Sequence, residues 1–244
     1  MQALRDRIGT NKRHNVVTVD GPAGSGKSSL ARALAHRLGA CHLNSGLLYR
    51  AVARLLCDAQ QLQTASLPNA HQFLQTVDLK ALSKIQLLPQ QQRFSIVVNG
   101  QDWSQQLHTA ALDFTSAWLA KEKVVRDQVL QLQHHAATLS NLVVDGRDCG
   151  TVVFPQANAK FFLTATPKIR ALRIAQRNAI ALSDHAALMS LESELVQRDL
   201  LDEQRELSPL KPAADAILID NTALDLDQTV TLAMQLLDDK KLHA

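Results

Sequence analysis

The stretch VVTVDGPAGSGKS, residues 16–28, decides the fold of this 244-residue chain. Its first five residues form a β-branched run typical of a buried strand, and the Gly-Pro pair that follows ends the strand abruptly. Leu30, Leu34 and Leu38 then recur every four residues before Gly39, which predicts an amphipathic helix ending at that glycine. The chain therefore runs from a strand through a glycine-rich loop into a helix.

Residues 21–28 match the phosphate-loop pattern G-x-x-x-x-G-K-[ST] in this strand-to-helix context. Glycines allow backbone N–H groups to converge on phosphate oxygens, Lys27 adds a positive charge, and the Ser28 hydroxyl can coordinate Mg²⁺. The alternative is a glycine turn with an unrelated lysine. We predict a nucleoside triphosphate site that comprises Gly21, Pro22, Ala23, Gly24, Ser25, Gly26, Lys27, Ser28 and Ser29.

Further strands alternate with helical patterns along the rest of the chain. Strands are predicted at 141–145, 160–164 and 216–220, with a weaker one at 40–43, and a closing helix is predicted at 226–241. This alternation predicts an α/β fold with a parallel sheet flanked by helices.

Residues 59–108 differ in composition from their surroundings. Glutamine is abundant, charge is sparse, and Asn99-Gly100 follows the apolar run 94–98 like a hairpin turn. We interpret this segment as a small inserted subdomain, and the tract 90–92 as a solvated loop.

Composition excludes several classes of function. Hydrophobic residues make up 46% of the chain and charged residues 20%, so it can bury a core. The net charge of +3 is dispersed and only 4% of residues are aromatic, which disfavours a nucleic-acid partner. Cys41, Cys57 and Cys149 lack C-x-x-C spacing, which favours reduced thiols. With no long apolar run and no leader pattern, we expect a cytoplasmic protein without a membrane partner.

Three charged residues, Asp145, Arg147 and Asp148, lie at the carboxyl end of a second predicted strand. The strand 141–145 ends in Asp145 and continues into Gly146, Arg147 and Asp148, where a carboxylate could lie on the magnesium side of the nucleotide. The alternatives are a salt-bridged turn or a helix cap.

Several arginines lie outside the phosphate loop and could hold a second, phosphorylated substrate. Three charged residues, Arg198, Asp202 and Arg205, would share one face of a helix limited by Pro209, although an exposed ion-pair ladder has the same spacing. No cluster with metal-ligand spacing and no nucleophile paired with a base is visible. This favours a phosphate as the phosphoryl acceptor, since a phosphate is already anionic. The candidate arginines are Arg50, Arg126, Arg147, Arg198 and Arg205.

The chain resembles the bacterial cytidylate kinase family over almost its whole length. The matching segments are 20–29, 43–50, 145–155, 198–205 and 209–215, and the run 146–155 is the family-specific part. The resemblance implies a P-loop fold with a five-stranded parallel sheet, an inserted monophosphate-binding subdomain and a helical lid. It also implies transfer of the γ-phosphoryl group of ATP to CMP or dCMP in pyrimidine nucleotide metabolism, with Mg²⁺ as cofactor, in what we expect to be a monomer.

Within a single domain, the resemblance places the core at about 14–58, 141–182 and 208–244, the insert at about 59–140 and the lid at about 183–207. It implies that Lys27, Arg147 and Arg205 act in catalysis and that Ser28 and Asp145 hold the metal. For CMP it implies Ser45, Arg50 and Arg147 at the phosphate, Arg126 and Asp148 at the base, and Arg198 and Asp202 at the sugar. Uracil reverses the donor and acceptor order of cytosine, so such a base site would reject UMP.

Some positions depart from the family pattern, and two other functions stay open. The departures are Ala23, Asn44, His108, Ala117, Leu200, Leu201 and Glu203. Loss of an arginine at Leu201 could lower turnover, and loss of a serine at Ala117 could weaken base recognition. The alternatives are a nucleotide-binding regulatory protein without phosphotransfer and a P-loop kinase for UMP, AMP or shikimate. The resemblance also implies that residues 59–108 lie over the monophosphate site and move when CMP binds.

Overall fold

A computed structural model describes residues 14–59 and 70–242, and their elements alternate as the sequence predicts. The strands are β1 Val16–Asp20, β2 Cys41–Asn44, β3 Ile85–Gln90, β4 Arg93–Val98, β5 Gln101–Asp102, β6 Leu142–Gly146, β7 Ala159–Thr164 and β8 Ile217–Asp220. The α-helices are α1 Lys27–Leu38, α2 Ser45–Ala59, α3 Ala70–Thr76, α4 Ala110–Leu119, α5 Lys123–Leu139, α6 Pro167–Arg177, α7 His185–Glu203 and α8 Leu226–Leu242.

The strands form one sheet in the order β3-β4-β2-β6-β1-β7-β8, with β5 paired to β4. The five strands from β2 to β8 in this order are parallel, as predicted. All residues of β1 are buried, because β6 and β7 flank it and helices cover both faces. Because these strands are parallel, their carboxyl ends lie at one edge of the sheet.

Each face of the sheet has its own apolar core. On one face, Leu30 and Leu34 of α1 pack with Phe161 of β7 and Val230 of α8. On the other face, α2 and α5 pack against side chains of β2 and β6, including Val144. Successive residues of β6 therefore serve opposite layers, because Val143 belongs to the first core.

The insert extends the sheet rather than forming a separate one. Strands β3 and β4 make an antiparallel hairpin, and β4 joins the core through one parallel pairing, His42 with Arg93. The predicted turn at Asn99-Gly100 connects β4 to β5, and both residues have positive φ, 50° and 79°. Gln90 is the last residue of β3, so the predicted loop 90–92 is shorter than expected, with only Gln91 and Gln92 turning the hairpin. Part of the glutamine-rich segment, 60–69, lies outside the described residues.

The lid helix is shorter than the sequence indicated. Helix α7 ends at Glu203 with Gln204 as its C-cap, so Arg205 follows the helix instead of lying on it. The chain turns back because the Leu210 N–H donates to the Asp202 carbonyl at 2.8 Å and the Leu210 side chain is buried. All three cysteines are buried free thiols, and none of the described helices has the length and apolarity needed to cross a membrane.

Candidate active site

One cleft collects most of the predicted site residues. It lies where the carboxyl ends of β1, β2 and β6 meet, as the pairings Asp20 with Gly146 and Asn44 with Asp145 require. Its lining includes Ala23, Gly24, Lys27, Ser28, Ser45, Arg50, Arg126, Asp145, Arg147, Asp148, Arg198, Asp202 and Arg205. Gly26 and Ser29 line an adjoining cavity. Gly21, Pro22 and Ser25 are the buried residues of the loop itself.

The phosphate loop has the backbone that its glycines allow. A Cβ on Gly21 would lie 2.1 Å from the Leu163 carbonyl oxygen, and Gly26 has a φ of 90°, so neither position accepts another side chain without strain. Gly26 caps α1 without any side-chain bond to the first turn, which leaves backbone N–H groups available to an anion.

Lys27 extends across this loop. Its Nζ donates to the Pro22 carbonyl at 3.2 Å. Loss of hydration, and then repulsion by Arg147, lower the pKa of Lys27 to about 7. A phosphate group beside the amine would raise that pKa again, because an opposite charge favours the protonated form.

Oxygen ligands suited to Mg²⁺ lie side by side at the end of β6. The Ser28 hydroxyl donates to Asp145 Oδ2 at 2.5 Å, and the Asn44 amide donates to Ser28 Oγ at 3.2 Å and to Asp145 Oδ2 at 3.3 Å. His42 Nε2 lies 2.6 Å from Asp145 Oδ1. Burial opposes ionisation of Asp145, but the hydrogen bond and charge of His42, with Lys27, lower its pKa. A hydroxyl next to an ionised carboxylate fits a hard cation, so the residues present suit Mg²⁺.

Asp148 and Arg126 form an ion pair on the opposite side of the cleft. Both side chains are largely buried, and Arg126 also donates to the Ala120 carbonyl at 3.3 Å. The guanidinium lies 6.0 Å from the ring centroid of Tyr49. A salt-bridged turn, one alternative for residues 145–148, would keep its pairs local, whereas Asp148 pairs with a different element, α5.

Asp20 fixes the backbone beyond Asp148, which sequence reasoning did not foresee. Its carboxylate accepts the N–H groups of Cys149 and Gly150 at 2.9 and 2.7 Å. Burial raises the pKa of Asp20 to about 6, although these two N–H groups act to lower it. The available signal was an acidic residue at the buried end of the strand before the phosphate loop.

Asp202 joins the lid to the sheet. Arg147 Nε donates to Asp202 Oδ2 at 2.9 Å, and Arg205 pairs with the other carboxylate oxygen. Asp202 is buried; this opposes its ionisation, but Arg147 and then Arg205 lower its pKa. The alternative interpretation of residues 198–205 as an exposed ion-pair ladder is therefore wrong, because Asp202 is buried and pairs with Arg147 of another element. Arg198 also lines the cleft, and burial lowers the pKa of its guanidinium.

Two arginines of α6 support the phosphate loop and were missed by sequence reasoning. Arg170 donates to the Ala23 carbonyl at 3.0 Å and to Asp199 of α7 at 2.5 Å. Arg173 donates to the Ser25 carbonyl at 3.3 Å and to Asn221. The spacing of these arginines along one amphipathic helix was the only signal.

Ser45 and Arg50, on α2, reach the cleft beside the lid. Ser45 accepts a hydrogen bond from the buried Gln133 amide at 2.9 Å, and Arg50 pairs with Asp113 of α4. Among the departures from the family pattern, Ala117 lines the cleft, whereas Leu201 is exposed and lines a neighbouring surface cavity.

A family model and the relatives compared with this chain carry the same description, cytidylate kinase. The family model described as "Cytidylate kinase" matches residues 17–239. The cytidylate kinase of Mannheimia succiniciproducens is 37% identical over 92% of this chain and 96% of its own length. That of Pseudomonas fluorescens strain Pf-5 is 39% identical over 90% of this chain and 93% of its own. An uncharacterized protein from Eubacterium ventriosum has a similar fold, with a TM-score of 0.50 and 12% identity, over 92% of this chain and 99% of that one.

Proposed function

The chain belongs to the cytidylate kinase family, and on that premise we propose that its cleft transfers the γ-phosphoryl group of ATP to CMP or dCMP, giving CDP or dCDP. One observation carries the proposal. The phosphate loop and the buried Arg126–Asp148 pair line the same cleft, so one nucleotide can be held by its phosphates while a second is recognised by its base.

The donor would bind with its phosphates on the loop formed by residues 21–29. Backbone N–H groups and the start of α1 provide positive potential, and Lys27 provides a full charge once a phosphate restores its proton. Ser28 and Asp145 would hold Mg²⁺, which neutralises charge on the β- and γ-phosphates. The adjoining cavity, lined by Arg173, Arg177 and Asn221, leaves room for the nucleoside of the donor.

The acceptor would bind between α2, α5 and the lid. Asp148 can accept from the amino group of cytosine, and Arg126 can donate to its ring nitrogen or carbonyl. Uracil would present a carbonyl oxygen to the Asp148 carboxylate and a ring N–H, in place of the ring nitrogen acceptor, to Arg126. Because the pair is buried, leaving these groups without a partner costs far more than a lost contact. Ser45, Arg50 and Arg147 would hold the acceptor phosphate, and Arg198 with Asp202 would hold the sugar.

Phosphoryl transfer then needs position and charge more than proton chemistry. An oxygen of the acceptor phosphate attacks the γ-phosphorus in line, a new P–O bond forms, and the bond to the β-phosphate oxygen of ATP breaks, which leaves ADP. Lys27, Arg147 and Arg205 would stabilise the charge that spreads over the transferred group. Asp202 keeps Arg147 and Arg205 together, so lid and sheet present their charges as one unit.

The test is ADP release from ATP and Mg²⁺ with CMP, dCMP, UMP, AMP or shikimate as acceptor. We expect release with CMP and dCMP, little with the others, and none above background in Lys27→Ala, because removal of a phosphate-bound charge costs several kcal/mol of transition-state stabilisation. Preference for another acceptor would refute the role of Asp148 and Arg126 but leave a P-loop kinase. ATP binding without any acceptor-dependent release would favour the regulatory alternative.

A further inference from the structure

Arg50, the arginine at the bottom of the acceptor side, already has an anionic partner. A guanidinium nitrogen of Arg50 pairs with Asp113 Oδ1, and both side chains line the central cleft. Asp113 is on α4 and Arg50 on α2, two helices that pack against each other. The pair therefore spans an interface that borders the acceptor site.

The position of Asp113 has a simple structural explanation that does not account for the pairing. Asp113 lies in the first turn of α4, where a carboxylate is favourable to the helix dipole. That effect requires only a negative charge near the N-terminus. It does not require the carboxylate to turn into the cleft and bind an arginine there.

The charges around Asp113 belong to the acceptor side. Burial lowers the pKa of Arg198, and the charge of Asp113 acts against that shift, so the carboxylate is within electrostatic range of the lid arginine as well as of Arg50. An anion in contact with Arg50, in a cleft that Arg198 also lines, has the placement that an acceptor phosphate would need. A carboxylate and a phosphate both bind a guanidinium edge through two oxygens.

We propose that Asp113 occupies the place of the acceptor phosphate on Arg50 before the acceptor binds, so that acceptor binding exchanges one anion for the other. Asp113 thus weakens the binding of any acceptor that carries a phosphate, whatever its base. This inference rests on the proposed function, because it takes Arg50 as a phosphate ligand. The Asp113 side chain is 42% exposed, so the exchange is worth no more than an exposed ion pair, at most about fivefold in affinity.

The experiment compares wild type with Asp113→Asn, which keeps the size of the side chain and removes its charge. We expect KM for CMP and for dCMP to fall, by up to about fivefold, and the constant for competitive inhibition by inorganic phosphate to fall in parallel. KM for ATP and inhibition by cytidine, which has no phosphate, should stay unchanged. The matched control is Asp58→Asn, because Asp58 pairs with Arg54 on the same helix α2 and lies outside the cleft.

The results distinguish a failure of the proposed exchange at Arg50 from a failure of the proposed kinase function. An unchanged KM for CMP and unchanged phosphate inhibition, with only a small loss of thermal stability, would show that Asp113 serves the helix alone. A rise in KM for CMP that exceeds the rise for dCMP would instead assign Asp113 to a sugar hydroxyl, and would also overturn the proposal. If the wild type has no CMP-dependent activity, calorimetric titration with inorganic phosphate still tests Asp113. Tighter phosphate binding by Asp113→Asn would then support the exchange although the proposed function had failed.

Discussion

The proposed function assigns base recognition to the buried Arg126–Asp148 pair. Asp148→Asn changes one acceptor oxygen into an N–H donor without changing the size of the group. We expect kcat/KM for CMP to fall by at least about tenfold, since a buried, charge-assisted hydrogen bond contributes about 1.5–3 kcal/mol, while KM for ATP changes less than twofold. The preference for CMP over UMP should narrow, because an amide donor can bind the uracil carbonyl. Steady-state kinetics with both acceptors checks this, and equal effects on ATP and CMP would contradict the assignment.

The buried carboxyl group of Asp20 should make the stability of the fold depend on pH. Burial raises its pKa to about 6 in the folded protein, well above the usual range of an aspartate, so the folded state binds this proton more tightly than the unfolded state does. Because the folded state holds the ionised carboxylate less well than the unfolded state does, ionisation of Asp20 lowers the free energy of unfolding. This loss is complete above pH 6 and disappears as the pH falls from 6 towards the usual pKa of an aspartate, about 4. Between pH 7 and pH 5 wild type should therefore gain about 1 kcal/mol in free energy of unfolding relative to Asp20→Asn. Urea denaturation of both proteins at both pH values measures this, and parallel pH profiles would contradict it.

The contacts of a site residue could be predicted from the sequence only where its partners lie close to it along the chain. Lys27 and Ser28 belong to a local pattern whose geometry the chain itself dictates, and the structure has the loop as predicted. Asp113 and Asp20 could not be foreseen, because their partners lie more than 60 positions away and only the packed helices and strands bring them together. The roles of the site residues stay predictions until the kinetics above are measured.

Besides the Arg147–Asp202 pair, the lid helix α7 is attached to the core by the ion pair of Arg170 with Asp199 and by Leu195, which packs against Ala23 and Ala171. Arg170 is almost fully buried and donates to two carbonyls besides Asp199, so it cannot move to water when its partner is removed. Asp199→Asn should lower the free energy of unfolding by about 2 kcal/mol, less than the loss of a fully buried pair because Asn still accepts a hydrogen bond.

Chemical denaturation measures this change, with Asp127→Asn as control. Asp127 pairs with Lys123 on the exposed face of α5, so its substitution should cost below about 0.5 kcal/mol. Equal losses in the two variants would mean that Asp199 does not anchor the lid.

Element boundaries were harder to predict than element types. The five core strands and helix α1 were predicted from local hydrophobic patterns, and the observed ends differ from the prediction by about one residue. The end of α7 was wrong, because Pro209 permits a helix through Arg205, while the tertiary bond from Leu210 to the Asp202 carbonyl turns the chain earlier. Local propensity set the maximum length, and a long-range contact set the actual one.

On the scale of the whole molecule, the insert shares few strand hydrogen bonds with the core sheet but packs into one apolar core with it, in which Ile96 of β4 joins Leu48 of α2 and Val144 of β6. The hairpin β3–β4 touches β2 through a single parallel pairing and the hydrogen bond from His42 N–H to the Gln92 carbonyl at 2.9 Å. Helix α4, by contrast, lines the cleft through Asp113, Ser116 and Ala117. Leu112 and Leu119 of α4 belong to the core shared with the hairpin and α2. A nucleotide bound in the cleft would therefore contact an element that is packed against the rest of the insert.

We therefore expect CMP to slow amide hydrogen exchange in residues 79–119 and to leave β1 and β7 unchanged. Exchange measured by mass spectrometry with and without CMP is the check, and cytidine at the same concentration shows whether the phosphate is required. Equal exchange of the insert in all three conditions would contradict the expected movement. The sequence could indicate an insert from its glutamine-rich composition, but its continuation of the sheet follows from backbone pairing that composition does not encode.

The bonds from Asp20 to the backbone of Cys149 and Gly150 have a consequence for protein engineering. Retargeting this chain to another base by exchanging side chains at positions 126 and 148 leaves those bonds intact. Transplanting the whole segment 147–150 from another kinase would not, since any new path of that backbone would pull on the strand that opens the phosphate loop. On the proposed assignment, the base-reading side chains at 126 and 148 can therefore be exchanged without disturbing the phosphate loop, whereas the main chain of the two sites must be redesigned together.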